Sequence, residues 1–147
     1  MKHVNQIADS ELRQLELFSL SEKTAYEMVK ATHKKFGIDY TGDPRHLEAE
    51  EKAFRVVCLR EEIDEYEEAK SKEDELDALI DVIFFALGTL ERHGYPFTSP
   101  FIKVTQANMA KKLAKASNVV SKRSFDIDLI KPDGWKAPDM SEFVGEE

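Results

Sequence analysis

Apolar residues recur at three- and four-residue intervals along most of the chain, so the pattern predicts helices rather than strands. A first helix runs through EKTAYEMVKATHKKF, capped by Ser21 and ended by Gly37, after a shorter turn beginning at Asp9 in DSELRQLELF. Asp43 with Pro44 opens a second helix of about 25 residues through LEAEEKAFRVVCLREEIDEYEEAK. Ser71, with Asp74 three residues later, starts a third, EDELDALIDVIFFALGTLERH, which Gly94 and Pro96 terminate. Ser99 and Pro100 start a fourth, FIKVTQANMAKKLAKA, and the turn-rich stretch beyond it predicts an irregular arm or a short hairpin. The expected fold class is all-α, a bundle of about four helices. A single domain is expected over residues 1–147, its core over about 21–116 and its C-terminal arm over 117–147.

The faces of the second and third helices are unusual. On the second, Phe54, Cys58, Glu61, Glu65 and Ala69 share one narrow stripe, and Val56, Leu59, Ile63 and Tyr66 form another apolar face with Glu62 between the two. Arg60, Asp64 and Glu67 take the remaining, solvent side, so the glutamates of EExxE are expected to border the core. On the third, Asp74, Asp77 and Asp81 form a column continuing into Phe84, Phe85 and Gly88, with Leu76, Leu79, Ile80, Ile83, Leu87 and Leu90 on the flanks. Such a helix is expected to be interior, where unpaired carboxylates are costly. A chain reversal near Ser71 brings Glu65 level with Asp77, Glu61 with Asp81 and Glu68 with Asp74. Carboxylates converging without matching cations are the pattern a divalent ion stabilises, and oxygen-only ligands favour Mg²⁺ or Mn²⁺ over zinc. The plain rival is an ion-pair network or a pair of solvated surfaces. Cys58, on the same stripe, reads as an apolar filler.

Composition narrows the partners. Of 147 residues, 41% are hydrophobic and the net charge is −8, the wrong sign for tracking nucleic acid phosphates. The charge is also split, with thirteen acidic against five basic residues from Glu48 to Asp77 and eight basic against three acidic from Pro100 to Lys136. No apolar run of membrane-spanning length occurs, the N-terminal stretch has no signal-peptide core, and one cysteine makes no internal disulfide. A cytoplasmic chain that engages neither nucleic acid nor membrane is expected.

REEIDEYEEA and DELDALIDVIFFALGT, with ALGT, QANMAKK and IKPDGWKAPD, resemble the all-α nucleoside triphosphate pyrophosphatase superfamily, its MazG-like and phosphoribosyl-ATP pyrophosphohydrolase-like members. The similarity extends from about Ala25 to Asp139, with weaker likeness in MVKATHKKFG and PRHLEAEE. The family's EExxE stands complete. Its second acidic pair, of ExxD type, is met by Asp74 with Asp77 or by Asp77 with Asp81, Ala78 standing three residues before Asp81. The resemblance implies hydrolysis of a (d)NTP to the monophosphate and pyrophosphate, with Mg²⁺ held by Glu61, Glu62, Glu65, Asp77 and Asp81, in a homodimer or a tetramer of dimers. The residues fit that chemistry, with Glu61 or Glu62 as the base that takes a proton from water.

Asn108 precedes Lys111 and Lys112 by one turn, a spacing that lets an amide meet base or sugar while ammonium groups hold phosphate. A wet lysine edge, continued by Lys115, is the bland alternative. Arg123, Lys131 and Trp135 lie in the arm, where the indole either stacks on a base or anchors the tail. The rival function is a catalytically silent, metal-stabilised bundle that binds a partner. A di-iron bundle is disfavoured, because no His follows a Glu by three residues in the second or third helix. The apolar excess of the third helix predicts a twofold interface through Leu76, Ile80, Ile83 and Leu87, with Lys131 and Trp135 reaching a neighbouring acidic groove.

Overall fold

The computed structural model describes Arg13 and residues 25–146. The fold is all-α, as expected: α1 (25–35), α2 (Ala49–Glu68), α3 (Lys72–His93) and α4 (Thr98–Met109), followed by a two-residue ladder of β1 (Lys112–Leu113) and β2 (Leu129–Ile130). The expected cap Ser21 and the turn at Asp9 lie outside the described residues. No helix among the described residues is long and apolar enough to cross a membrane. The described chain falls into two compact units, one holding α1 to α3 with residues from 141 onward, the other Thr98–Met140.

In the first unit α2 and α3 are joined by three residues and pack along each other. Ser71 starts α3, its Oγ accepting the Asp74 N–H at 3.1 Å, a cap worth about 1 kcal/mol. Gly94 ends the helix at φ +75°, a left-handed conformation that a side chain disfavours, with the Tyr95 N–H closing onto the Leu90 carbonyl at 3.0 Å. Tyr26 and Val29 of α1 and Leu87 of α3 form the buried apolar core, with Phe84, Leu90 and Phe97 packed against it.

Two boundaries differ from expectation. α2 begins at Ala49 rather than near Pro44, because residues before it serve the exposed end of α3. Arg45 gives its backbone N–H to the His93 carbonyl at 2.8 Å and its Nε–H to the Arg92 carbonyl at 3.0 Å, and its own carbonyl accepts from His93 Nδ1 at 2.8 Å. Carbonyls that a helix end leaves orphaned thus hold that segment outside α2. α4 stops at Met109, so Lys111, Lys112 and Lys115 are not on it. Trp135 Nε1 donates to the Ala107 carbonyl at 2.7 Å, the Lys111 N–H turns to the Asn108 carbonyl at 3.0 Å, and Lys112 pairs with Ile130. A two-residue ladder therefore forms between the end of the anticipated helix and the arm, rather than as a hairpin within the arm.

The apolar faces need a correction as well. Phe54, Val56, Ile63 and Tyr66 on α2, and Leu76, Leu79, Ile80 and Ile83 on α3, are exposed in the single chain, Ile80 to 54%. The third helix is interior on one side alone. Leu87 is not on the free flank but in the chain's own core, where Tyr26 and Val29 cover it.

Candidate functional site

The face that α2 turns inward is a column of Arg55, Cys58 and Glu62 at i, i+3 and i+7. The first two are buried and Glu62 is half-buried. On α3 the buried positions are Ala78, Leu87, Gly88 and Glu91, with Asp81 half-buried between them. Glu61, Glu65 and Asp77 are exposed. Of the three EExxE glutamates, Glu62 alone reaches the seam.

Glu62 Oε2 is buried and has no hydrogen-bond partner. Burial pushes this carboxyl upward from its ordinary value, and the charges of Glu65, Asp81, Glu61 and Asp77 push it further in the same direction. Charges of acids on both helices therefore act on the Glu62 carboxyl. Among the described residues, no three His, Cys, Asp or Glu side chains converge as a ready ligand set. Glu61, Glu65 and Asp77 are turned to solvent instead. A hard divalent cation nevertheless fits these donors. All are carboxylate oxygens, and the orphaned Glu62 oxygen is a buried acceptor that a cation satisfies.

A family model of phosphoribosyl-ATP pyrophosphohydrolase matches residues 29–108, more than half of the chain and all of α2 and α3. The chain belongs to the phosphoribosyl-ATP pyrophosphohydrolase family. Membership carries a nucleotide pyrophosphohydrolase-type activity, that of a hydrolase acting on acid anhydrides. No curated protein matches the chain. The matched span includes every acid named above and ends at Asn108, so the remaining candidate substrate contacts lie beyond it.

Those contacts belong to the second unit. Asn108 is exposed on the last turn of α4 and Lys112 is exposed on β1. Lys111 and Lys131 converge on Trp135, their Nζ atoms 5.3 Å and 4.8 Å from the ring centroid. The indole N–H is committed to Ala107, so in this unit Trp135 acts as an anchor. Arg123 stands apart from them, paired through Nη1 with Asp128 at 2.7 Å.

A buried polar cluster went unread in the sequence. His33 of α1 bonds Glu91 through Nδ1, both nearly inaccessible, and Arg55 is 6% exposed with its Nε unpartnered. Gly88 makes room for them, since a Cβ there would stand 3.0 Å from the His33 ring and 3.3 Å from Arg55 Nη1. Extending the Asp74, Asp77, Asp81, Gly88 column by one step reaches Glu91, and extending the Glu62, Cys58 column backwards reaches Arg55, so the helical spacing did contain the signal.

Proposed function

We propose that the acidic seam of α2 and α3 holds Mg²⁺, or Mn²⁺ in its place, and that the chain hydrolyses (d)NTPs to the monophosphate and pyrophosphate. The observation that carries this reading is the buried, unpartnered Glu62 Oε2 faced by acids of both helices. Glu61, Glu62, Glu65, Asp77 and Asp81 are the residues that would hold the ion. When bound, it supplies neutralisation of phosphate charge and a bound water of lowered pKa.

The chain's own residues supply the rest. Glu61 or Glu62, through a carboxylate oxygen that the ion does not take up, accepts the proton of the attacking water as its oxygen bonds to the α-phosphorus. The bond from that phosphorus to the bridging oxygen breaks, and pyrophosphate leaves with the bridging oxygen's electron pair. Asn108 reads base or sugar, Lys111, Lys112, Arg123 and Lys131 hold phosphate charge, and Trp135 orders the lysines around it. The working unit is a cytoplasmic homodimer or a tetramer built from it, with Leu76, Ile80 and Ile83 as the covered stripe and the basic arm of one copy serving the acidic seam of another.

A panel of ribo- and deoxynucleotides incubated with Mg²⁺, read for pyrophosphate and monophosphate in equal amounts, tests the reaction. No turnover of any triphosphate would leave the silent metal-binding bundle as the better account, and release of orthophosphate instead would overturn the proposed bond cleavage.

A further inference from the structure

A hollow of about 530 Å³ opens between α1 and the C-terminal end of α3, within the range of roughly 300–1,000 Å³ typical of small-ligand sites. Its walls carry Lys30 and Lys34, one helical turn apart on the same face of α1, where like charges repel. Among the described residues neither ammonium meets a carboxylate, and Lys30 lies 4.5 Å from the Tyr26 ring centroid. Two acids also line the hollow: Glu91, which bonds His33, and Asp39, whose charge acts on Arg92. Among the described residues Lys30 and Lys34 are ion-paired with neither.

The aromatic lining is fixed in advance. Tyr26 donates its hydroxyl to the Tyr95 carbonyl at 2.7 Å, and the Tyr95 ring stacks on His93 at 4.7 Å and 6°. Tyr40 donates to the Asp43 carbonyl at 2.8 Å, with the Arg45 guanidinium 3.7 Å from its ring centroid. Rings held in this way lose little freedom when a planar ligand arrives. Glu91 is ten residues beyond Asp81 on α3, about 15 Å at the helical rise, so this is not the acidic seam.

We infer that this hollow binds a nucleoside monophosphate without any metal, its phosphate held by Lys30 and Lys34 and its base among Tyr26, Tyr40 and Tyr95. A phosphate dianion matches two ammonium groups, whereas the carboxylate seam repels any phosphate that arrives without a cation. The inference goes beyond the proposed reaction and does not rest on it.

Calorimetric titration of the full chain in EDTA with the four common nucleoside monophosphates, and separately with inorganic phosphate, tests it. Saturable one-site binding of at least one nucleotide is expected, at least tenfold tighter than phosphate. Lys30→Gln with Lys34→Gln should weaken it tenfold or more, and Lys34→Gln alone about threefold should the double variant melt early. Glu62→Gln should leave it unchanged, which separates this site from the seam whether or not the chain turns over triphosphates. No saturable binding, affinity indifferent to the lysines, loss with Glu62→Gln, or phosphate binding as tightly as the nucleotide would each overturn the inference.

Discussion

Trp135 donates its indole N–H to the carbonyl of Ala107, and this one bond at 2.7 Å sets where α4 ends and where the ladder begins. The Ala107 carbonyl is the acceptor that the Lys111 N–H would take if the helix continued. With that acceptor occupied, the chain turns and Lys112–Leu113 pair with Leu129–Ile130. Trp135→Phe keeps the ring and removes the donor. The expected cost is about 1–3 kcal/mol, appearing as faster amide exchange across the two strands. Strand protection equal to that of the parent would show that the bond does not govern the boundary.

Gly88 is the second lever, because it lets α3 approach two buried polar side chains. An added Cβ would meet the His33 ring at 3.0 Å and Arg55 Nη1 at 3.3 Å, and both side chains are too enclosed to retreat freely. Gly88→Ala should destabilise by about 1–2 kcal/mol, an overpacking penalty larger than the gain in helix propensity. The same change in a His33→Ala background should cost less, a coupling that a double-mutant cycle of melts measures. Additive effects would place the strain elsewhere.

These two positions mark what the sequence made legible and what it did not. Local signals were sufficient for α3, since Ser71 and Gly94 act within one turn of themselves. The seam was legible in part: the short reversal set acids of α2 level with acids of α3, but it paired Glu65 with Asp77 and Glu61 with Asp81, whereas Glu62 is the glutamate of EExxE that turns inward and Glu61, Glu65 and Asp77 are exposed. The start of α2 and the end of α4 were not, because partners distant in sequence set them: Arg45 with His93, and Ala107 with Trp135. Side-chain periodicity carries no record of such bonds. Nor does it reveal which apolar flank the chain covers itself: Leu87 and Ile83 share the spacing, and the α1 core claims only Leu87.

Tyr26 gives a pH prediction. Burial, helped by the charge of Glu91, pushes its phenol up to about 12 from an ordinary 10.0. The folded chain therefore keeps the proton where the unfolded chain releases it. The contribution is fully present below pH 10 and is lost as pH rises towards 12, at a slope of up to about 1.4 kcal/mol per pH unit. Tyr26→Phe removes this component, so denaturant midpoints of parent and variant should converge between pH 10 and 12. A gap that stays constant over that window would exclude the titration.

The seam makes paired predictions. In EDTA, Glu62→Gln relieves repulsion with Glu65, Asp81, Glu61 and Asp77 and should raise the melting midpoint. With Mg²⁺ at 100 times its dissociation constant the parent should gain about 2.7 kcal/mol, and the variant much less. Pyrophosphate release should fall by at least 100-fold in Glu62→Gln, Glu65→Gln and Asp81→Asn, with helicity intact by circular dichroism. An unchanged parent midpoint in millimolar Mg²⁺ and Mn²⁺ would count against metal at the seam, and parent-like turnover in all three variants against the catalytic assignment.

The exposed stripe of α3 makes a prediction about assembly. Leu76, Ile80 and Ile83 recur at i, i+4 and i+7 and are each more than half exposed in the single chain, while the opposite side of the helix is packed. A stripe on one helix meets its own copy across a twofold axis with a single self-complementary surface, and burying it in a second copy removes apolar area from water at about 25 cal/mol per Å². Ile80→Glu places a charge in the middle of that surface and touches nothing in the chain's own core. Light scattering at micromolar concentration should give a dimer or tetramer for the parent and a monomer for Ile80→Glu, with the α-helical content of the two alike. If the basic arm of one copy serves the seam of another, the monomeric variant should also lose pyrophosphate release, and mixing it with a Glu62→Gln chain should restore none. A fully active monomeric parent would remove both the twofold interface and the shared site.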